Sequence, residues 1–252
     1  MDKQLLYKMI FKRKSFHFFK ERGEISQSEL NNINLYIKNL TPLDATIRTD
    51  IRIVKESDTT SKRGAEYCIL LYSERKGNYL QNIGYIGEQL DLYLVSMDIG
   101  TLWYGIGKVK ETNIEGLDYV IMICIAKESI DKFRVDMYKS KRKSLEEIWK
   151  GDKLRDIGNI VRFSPSACNT QPWQIYEDKD DLILYRYQKQ GKRGIIPIDK
   201  VIYYNRIDIG IFMLFLDLCL SNKGIDYEKQ LYIDNDNDSE RVKIARYKLK
   251  KS

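Results

Sequence analysis

The chain has 252 residues, 43% hydrophobic and 31% charged, with 43 Lys and Arg, 36 Asp and Glu, one His and a formal net charge of +7. That length holds one large domain or two small ones, with ample material for a core, and the balance is that of an ordinary globular protein. A single His excludes a multi-His metal centre. Four Cys without a CxxC pair, three of them in apolar runs, argue against a zinc site or disulfide framework and point to a reducing cytoplasm.

The basic excess is compatible with nucleic acid, an anionic membrane or an anionic small molecule. The bases are spread along the chain apart from clusters at 12–14, 139–143 and the terminal "KLKK". No helix-turn-helix, ribonucleoprotein or zinc pattern accompanies them, so nucleic acid is set aside. "MDKQLLYKMIFKRK" lacks the long apolar run of a secretory signal. The most apolar helical stretch, "IGIFMLFLDLCL", is too short to span a bilayer and carries Asp217, so no membrane partner is expected.

In chain order, residues 2–12 place apolar side chains at 5, 6, 9 and 10, a helical pattern. "ISQSELNNINLYIKNL" opens with Ser26 or Ser28 as N-cap, and Leu30, Ile33, Ile37 and Leu40 form one helical face. "DIRIV" and "YCILLY" read as strands. An amphipathic helix is expected from Gly84 to Asp98, stopped by Gly100. "YVIMICIA" (119–126) is a continuous apolar run, as in a buried central strand. "LRDIGNIVRFSPSACNTQPWQIY" then reads helix, loop, strand, followed by a strand at "DLILYRY". A long buried helix, "RIDIGIFMLFLDLCLSNKG", stops at Gly224, and "VKIARYKL" closes with a strand. Cys68, Cys124 and Cys219 lie in apolar runs and read as small buried hydrophobes.

The order partly repeats. With Gly100 over Gly224, Leu90, Leu92 and Leu94 fall on Leu214, Leu216 and Leu218. With Pro42 over Pro165, "IKNLTPLDA" lies over "VRFSPSACN". The expected organisation is a first half over 1–138, a basic linker over 139–152 and a second half over 153–252.

One loop stands apart. "SPSACNTQPW" (164–173) holds two of the four prolines with Ser, Asn, Gln and Trp, and no acid, base or His. No Ser/His/Asp set, carboxylate pair or P-loop occurs elsewhere, so the loop fits a protein whose cofactor carries the reaction.

Three stretches resemble the FMN-dependent nitroreductase family. "RKSFHFF" (13–19) resembles its N-terminal basic-basic-Ser motif. "MDIGTLWYGIG" (97–107) resembles its Gly-Thr-x-Trp-x-Gly segment. "SPSACNTQPW" resembles its Pro-Ser-x-x-Asn-x-Gln-Pro-Trp loop. "KSKRKSLEEIW" is similar to the basic segment that ends a family member, with Ser144 in place of proline. The family places its Asn-Gln-Pro-Trp loop soon after the N-terminal motif. Here that place holds "NLTPLDATIRTD", without Asn, Gln or Trp after its proline, and the intact loop follows the element that should end the protein. The chain therefore resembles the family's internally duplicated, single-chain branch, in which one chain mimics the dimer.

The resemblance implies an α+β fold: a mixed, largely antiparallel sheet with long central helices, in two pseudo-symmetric halves. It implies a monomer with one composite FMN site. The phosphate would be held by Arg13, Lys14 and Ser15 with Lys141 and Arg142, and His17 stands where the family often has a further base. Tyr104, Gly105 and Ile106 would approach the ring, Gly105 because it has no side chain to obstruct. Pro165 would fix the backbone so that the amides of Ser166 and Ala167 face the flavin, with Asn169 on the ribityl chain or pyrimidine edge. Cys168 reads as a packing residue. The implied activity is a two-step hydride transfer from NADH or NADPH, through flavin N5, to a nitroaromatic, quinone or similar small acceptor. A flavin-storage or sensing protein without turnover is the alternative.

Overall fold

Asp2 opens the first helix, α1 (Lys3–Lys12), by accepting the Leu5 N–H at 3.0 Å. Leu6 and Ile10, one turn apart, are its buried stripe. The second helix, α2 (Gln27–Ile37), starts at Ser26. Its hydroxyl accepts the Glu29 N–H while the Glu29 carboxylate accepts the Ser26 N–H, a reciprocal cap. Only Ile33 of the expected face is fully buried, and Leu40 lies beyond the helix end.

The computed structural model describes residues 2–187, 194 and 196–250, and its contacts divide the chain into two units, Met1–Met137 and Tyr138–Ser252. In the first unit, β1 (Thr49–Lys55) and β2 (Tyr67–Ser73) precede the long helix α3 (Tyr79–Ser96), which is followed by β3 (Ile99–Tyr104), β4 (Asn113–Ile114) and β5 (Leu117–Lys127). The sheet runs β1-β2-β5-β3, all antiparallel, with β4 folded onto β5. Strand β5 is central, and consecutive residues from Val120 to Ala126 are buried. Successive side chains point to opposite faces, so both faces of this strand are covered. That is why its sequence is an unbroken apolar run.

Helix α3 departs from expectation at both ends. It begins at Tyr79 rather than Gly84, and Gln81, Asn82, Glu88, Gln89 and Asp91 are buried in it beside the apolar residues. Its buried surface wraps nearly all round rather than forming one stripe. It ends at Ser96 with Met97 as its C-cap, and Asp98 turns the chain with φ 56°. Gly100 does not stop the helix but sits inside β3. A Cβ there would lie 2.9–3.1 Å from Glu128 and Phe16, so the small residue admits the Phe16 ring.

In the second unit, the stretch read as a basic linker carries structure. Ser144 and Glu147 form another reciprocal cap on the short helix α4 (Leu145–Ile148), and β6 (Trp149–Lys150) pairs in parallel with the strand β7 (Trp173–Asp178). Buried Ile148 and Trp149 draw this stretch into the unit. Helix α5 (Arg155–Val161) precedes the 164–173 loop. After β7 come β8 (Asp181–Tyr187), helix α6 (Val201–Asn222), β9 (Tyr227–Leu231) and β10 (Arg241–Leu249). Gly224, at φ 67°, follows the end of α6 as expected. The sheet runs β6-β7-β8-β10-β9, and every pair except β6–β7 is antiparallel.

Leaving aside β4 and β6, each unit has two strands, a long helix and two more strands, and each sheet places them in the order first, second, fourth, third. The architecture is therefore α+β with antiparallel sheets around long buried helices. No helix among the described residues is long and apolar enough to cross a membrane.

Candidate functional site

In the first unit, the basic-basic-Ser stretch is stitched to the start of β3. Ser15 bridges Thr101 in parallel, and the Phe16 N–H donates to the Thr101 carbonyl at 2.9 Å. Two of the motifs singled out in the sequence thus lie side by side. Their polar residues divide into an inner and an outer set.

The inner set is a buried ion cluster. Arg13 is 3% exposed, and its Nε donates to Asp91 Oδ2 at 3.1 Å, with Nη2 3.0 Å from the same oxygen. Glu88 Oε1 lies 3.7 Å from Arg13 Nε. Asp91 also accepts the Thr101 hydroxyl at 2.6 Å and the Trp103 indole N–H at 2.9 Å. One carboxylate of α3 therefore ties Arg13, Thr101 and Trp103 together. Burial weakens the Arg13 proton, but Asp91 and Glu88 outweigh it and raise its pKa. Burial, reinforced by Asp91, pushes the Glu88 carboxyl well above the usual carboxylate range. Arg13, expected as a phosphate donor, is instead directed at these two buried acids. They would otherwise be uncompensated.

The outer set faces solvent. Lys14 and Ser15 are half-buried and His17 is exposed; Lys14 Nζ sits 4.7 Å from the centre of the Phe16 ring. Tyr104 and Gly105 are half-buried, and Ile106 is 60% exposed. Arg63 was not foreseen. Its guanidinium lies 4.7 Å from the Phe18 ring and 5.1 Å from the Tyr104 ring, and no acid pairs with it among the described residues. It is placed by the Phe19 N–H, which donates to its carbonyl at 2.8 Å, and by Gly64 at φ 78°, where a Cβ would meet the Phe19 carbonyl oxygen at 2.5 Å. The available signal was a basic pair before a glycine, "SKRGAE", between two strands.

In the second unit, the 164–173 loop has an unusual backbone. Cys168, Asn169 and Gln171 have φ of 47°, 56° and 49°. Left-handed backbone at non-glycine residues costs about 1–2 kcal/mol each, so the loop must be held from outside. The basic stretch does so on one side. Arg142 Nη1 donates to Asn169 Oδ1 at 3.0 Å and to the Lys141 carbonyl at 2.9 Å, and Nη2 donates to the Phe163 carbonyl at 3.3 Å. The Lys143 N–H donates to Gln171 Oε1 at 2.8 Å and its Nζ to the Gln171 carbonyl at 2.7 Å. Asn169 Nδ2 donates to the Lys141 carbonyl at 3.2 Å, and Oδ1 also accepts from Gln171 Nε2 at 3.2 Å. An amide side chain has two donors and two acceptor lone pairs. Among the described residues three of the four are taken on exposed Asn169, and one N–H has no partner.

The other side of the loop is held by α6. The Ala167 N–H donates to the Asp208 carboxyl at 3.0 and 3.2 Å. The Ala167 amide, expected to face a flavin, is directed instead at this buried acid. The Ser166 hydroxyl accepts the Gln171 N–H and its carbonyl the Asn169 N–H, both at 3.0 Å, and these two bonds brace the loop from within. Pro165 is buried and carries the turn out of α5. Trp173 is fully buried, stacked on Phe212 with ring centres 5.0 Å apart. Burial lifts the Asp208 carboxyl to about 8. Asp208 was missed, although an acid inside "RIDIGIFMLF" was the signal.

In the first unit Arg63 and Lys14 lie against aromatic rings, and in the second Lys141 is exposed and Asn169 keeps one N–H without a partner among the described residues. Arg13 and Ala167 are each tied to a buried acid of their own unit. The fold defines an α+β protein of two largely antiparallel sheets with long buried helices. Residues 5–220 match the model of the family described as "Putative TM nitroreductase", and the chain belongs to that family. A solved structure described as a "putative nitroreductase" from Thermotoga maritima has a TM-score of 0.62 at 19% identity, covering 97% of this chain and 93% of that one. One described as a "Putative NADH dehydrogenase/NAD(P)H nitroreductase" from Bacteroides thetaiotaomicron has a TM-score of 0.43 at 11% identity, covering 57% of this chain and 95% of its own. One described as a "Putative NADH Oxidase" from Clostridium acetobutylicum has a TM-score of 0.40 at 14% identity, covering 56% and 96%. No curated protein matches the chain.

Proposed function

We propose that the protein is a cytoplasmic, FMN-dependent NAD(P)H oxidoreductase of nitroreductase type, a monomer binding one FMN per chain. The observation that carries this reading is Asn169. It stands on a loop held in left-handed backbone, oriented by Lys141 and Arg142, with one amide N–H that no described residue accepts.

In the first unit Lys14, Ser15 and His17 are proposed as phosphate donors; in the second, Lys141 is proposed as a phosphate donor in its own right, and Arg142 holds the loop that presents Asn169 to the ribityl chain or pyrimidine edge. Pro165 and Ser166 shape that loop. Tyr104, Gly105 and Ile106 supply a partly apolar wall, beside which Arg63 is a cation able to offset negative charge. Arg13 and Ala167 support these groups through Asp91 and Asp208. Bound flavin would supply the hydride chemistry, taking hydride from NADH or NADPH and passing reducing equivalents to a nitroaromatic, quinone or similar acceptor. The chain's own part is to bind, orient and offset charge.

We propose further that the two units are copies of one plan. Supporting this are the shared strand order and the way each long helix anchors the loop that precedes its first two strands. In the first unit Asn82 Oδ1 accepts from the Leu43 and Asp44 N–H groups at 2.8 and 3.1 Å. With Pro42 over Pro165, Asp44 corresponds to Ala167, whose N–H is held by Asp208.

Anaerobic mixing of the FMN-loaded protein with NADH or NADPH tests the reading. Loss of the flavin absorbance on mixing is expected. Flavin that stays oxidised with both reductants would refute turnover and favour storage or sensing. Asn169→Ala should weaken FMN binding by about 1 kcal/mol through loss of one hydrogen bond.

A further inference from the structure

The loop that carries Asn169 is gripped from outside by the basic stretch and from inside by a single acid. Asp208 lies in the middle of α6, 3% exposed. Both its oxygens accept from the Ala167 N–H, and the Thr170 hydroxyl lies 3.5 Å from Oδ2 and 3.3 Å from Asn205 Oδ1. Ala167 and Thr170 flank Cys168 and Asn169, two of the residues in left-handed backbone. The inner anchor therefore brackets the strained segment.

The first unit makes the same kind of contact with a neutral side chain, since Asn82 receives the Leu43 and Asp44 N–H groups. An amide oxygen thus suffices to hold such a loop in this fold. A buried carboxyl is the costlier choice, and it stands under the loop that keeps Asn and Gln between its prolines.

We propose that Asp208 is a positioning residue that holds the 164–173 loop in the conformation presenting Asn169, and that it makes loop opening depend on pH. The loop's ligand is taken from the FMN reading above; the latch itself does not depend on it.

Among the described residues, the groups facing Asp208 are polar rather than charged. They are the Ala167 N–H and Thr170 hydroxyl from the loop, with Asn205 sharing Thr170 from α6. Arg206, nearby on the helix, is turned to Asp234 and Asn237, and no cation pairs with Asp208 among the described residues. Burial is the first cause of its raised pKa, of about 8. When the loop opens, the carboxyl is hydrated and returns to about 3.9. The closed loop therefore holds the proton more tightly than the open one. Opening is hardest at low pH, becomes up to about tenfold easier per pH unit between about 4 and 8, and stops changing above 8.

Site-resolved hydrogen exchange of the Ala167 amide in the full chain, corrected for the intrinsic rate, reads the latch without any flavin. The expected result is protection that falls by up to about 100-fold from pH 6 to pH 8 and then levels. Asp208→Asn should keep protection with the slope abolished, and Asp208→Ala should lose it at every pH while circular dichroism stays native. Unchanged protection in Asp208→Ala would overturn the proposal, as would a wild-type slope in Asp208→Asn, which covers the case in which the alanine variant does not fold. FMN titration forms a separate arm. Asp208→Ala should bind about tenfold more weakly or worse and Asp208→Asn within about threefold, since affinity scales with the closed fraction. Parent protein that binds no FMN would defeat the flavin reading alone, and the exchange arm would still decide the role of Asp208.

Discussion

Replacing Arg13 with Ala separates a core charge from a cofactor ligand. Arg13 is 3% exposed and its guanidinium meets Asp91 and Glu88, both with fully buried side chains. Removing one partner of a buried ionic cluster strands the others, at a cost of about 3–5 kcal/mol. The unfolding entropy is about 2.1 cal/mol/K per residue, or about 0.5 kcal/mol/K for the 252-residue chain. Arg13→Ala should therefore lower Tm by about 6–10 °C. Differential scanning calorimetry on flavin-free protein is the assay, because a phosphate ligand would matter only with flavin present. A flavin-free Tm within about 2 °C of the parent would refute the placement of Arg13 in the core and return it to the phosphate.

Gly87→Ala should destabilise the chain by about 1–3 kcal/mol in urea titration, since a Cβ there would lie 2.5 Å from Trp103 Cη2. An aromatic thiol reagent should find one fast-reacting thiol in the native chain, Cys168, because Cys68, Cys124 and Cys219 are buried; two or more fast thiols would contradict this packing. The pH dependence follows from Asp208. Its folded pKa of about 8 lies above its unfolded value, so the folded state holds the extra proton. Stability should fall as pH rises from about 4 to 8, by at most about 1.4 kcal/mol per unit, and Asp208→Asn should remove that component in parallel denaturation curves.

Elements whose composition is forced by their surroundings were legible in the sequence. Strand β5 is covered on both faces and reads as an unbroken apolar run, and α6 is buried along most of its length and reads likewise. The 164–173 loop was visible in its two prolines and its uncharged, amide-rich composition, whereas its left-handed backbone at Cys168, Asn169 and Gln171 was not. What failed was the direction of polar groups. The helix α3 was expected from Gly84, yet the polar Gln81 and Asn82 before it are helical and buried, and Asn82 serves the loop at 43–44. Gly100 reads as a helix stop, yet its smallness answers to the Phe16 ring, brought close by a residue 84 positions away in the chain. Strand β9, "YEKQL", alternates half-buried and exposed residues at a sheet edge and carries no apolar signature. Nothing local distinguishes an Arg13 aimed at a phosphate from one aimed at Asp91, because the deciding acids lie on α3. The same holds for the Ala167 amide and Asp208.

The central claim is that this single chain is a flavoprotein. Titrating flavin-free protein with FMN and following flavin fluorescence tests it most directly. The account predicts saturable quenching at one FMN per chain. FMN fluorescence unchanged by excess protein would contradict the flavin assignment, and saturation at two per chain would contradict the single site.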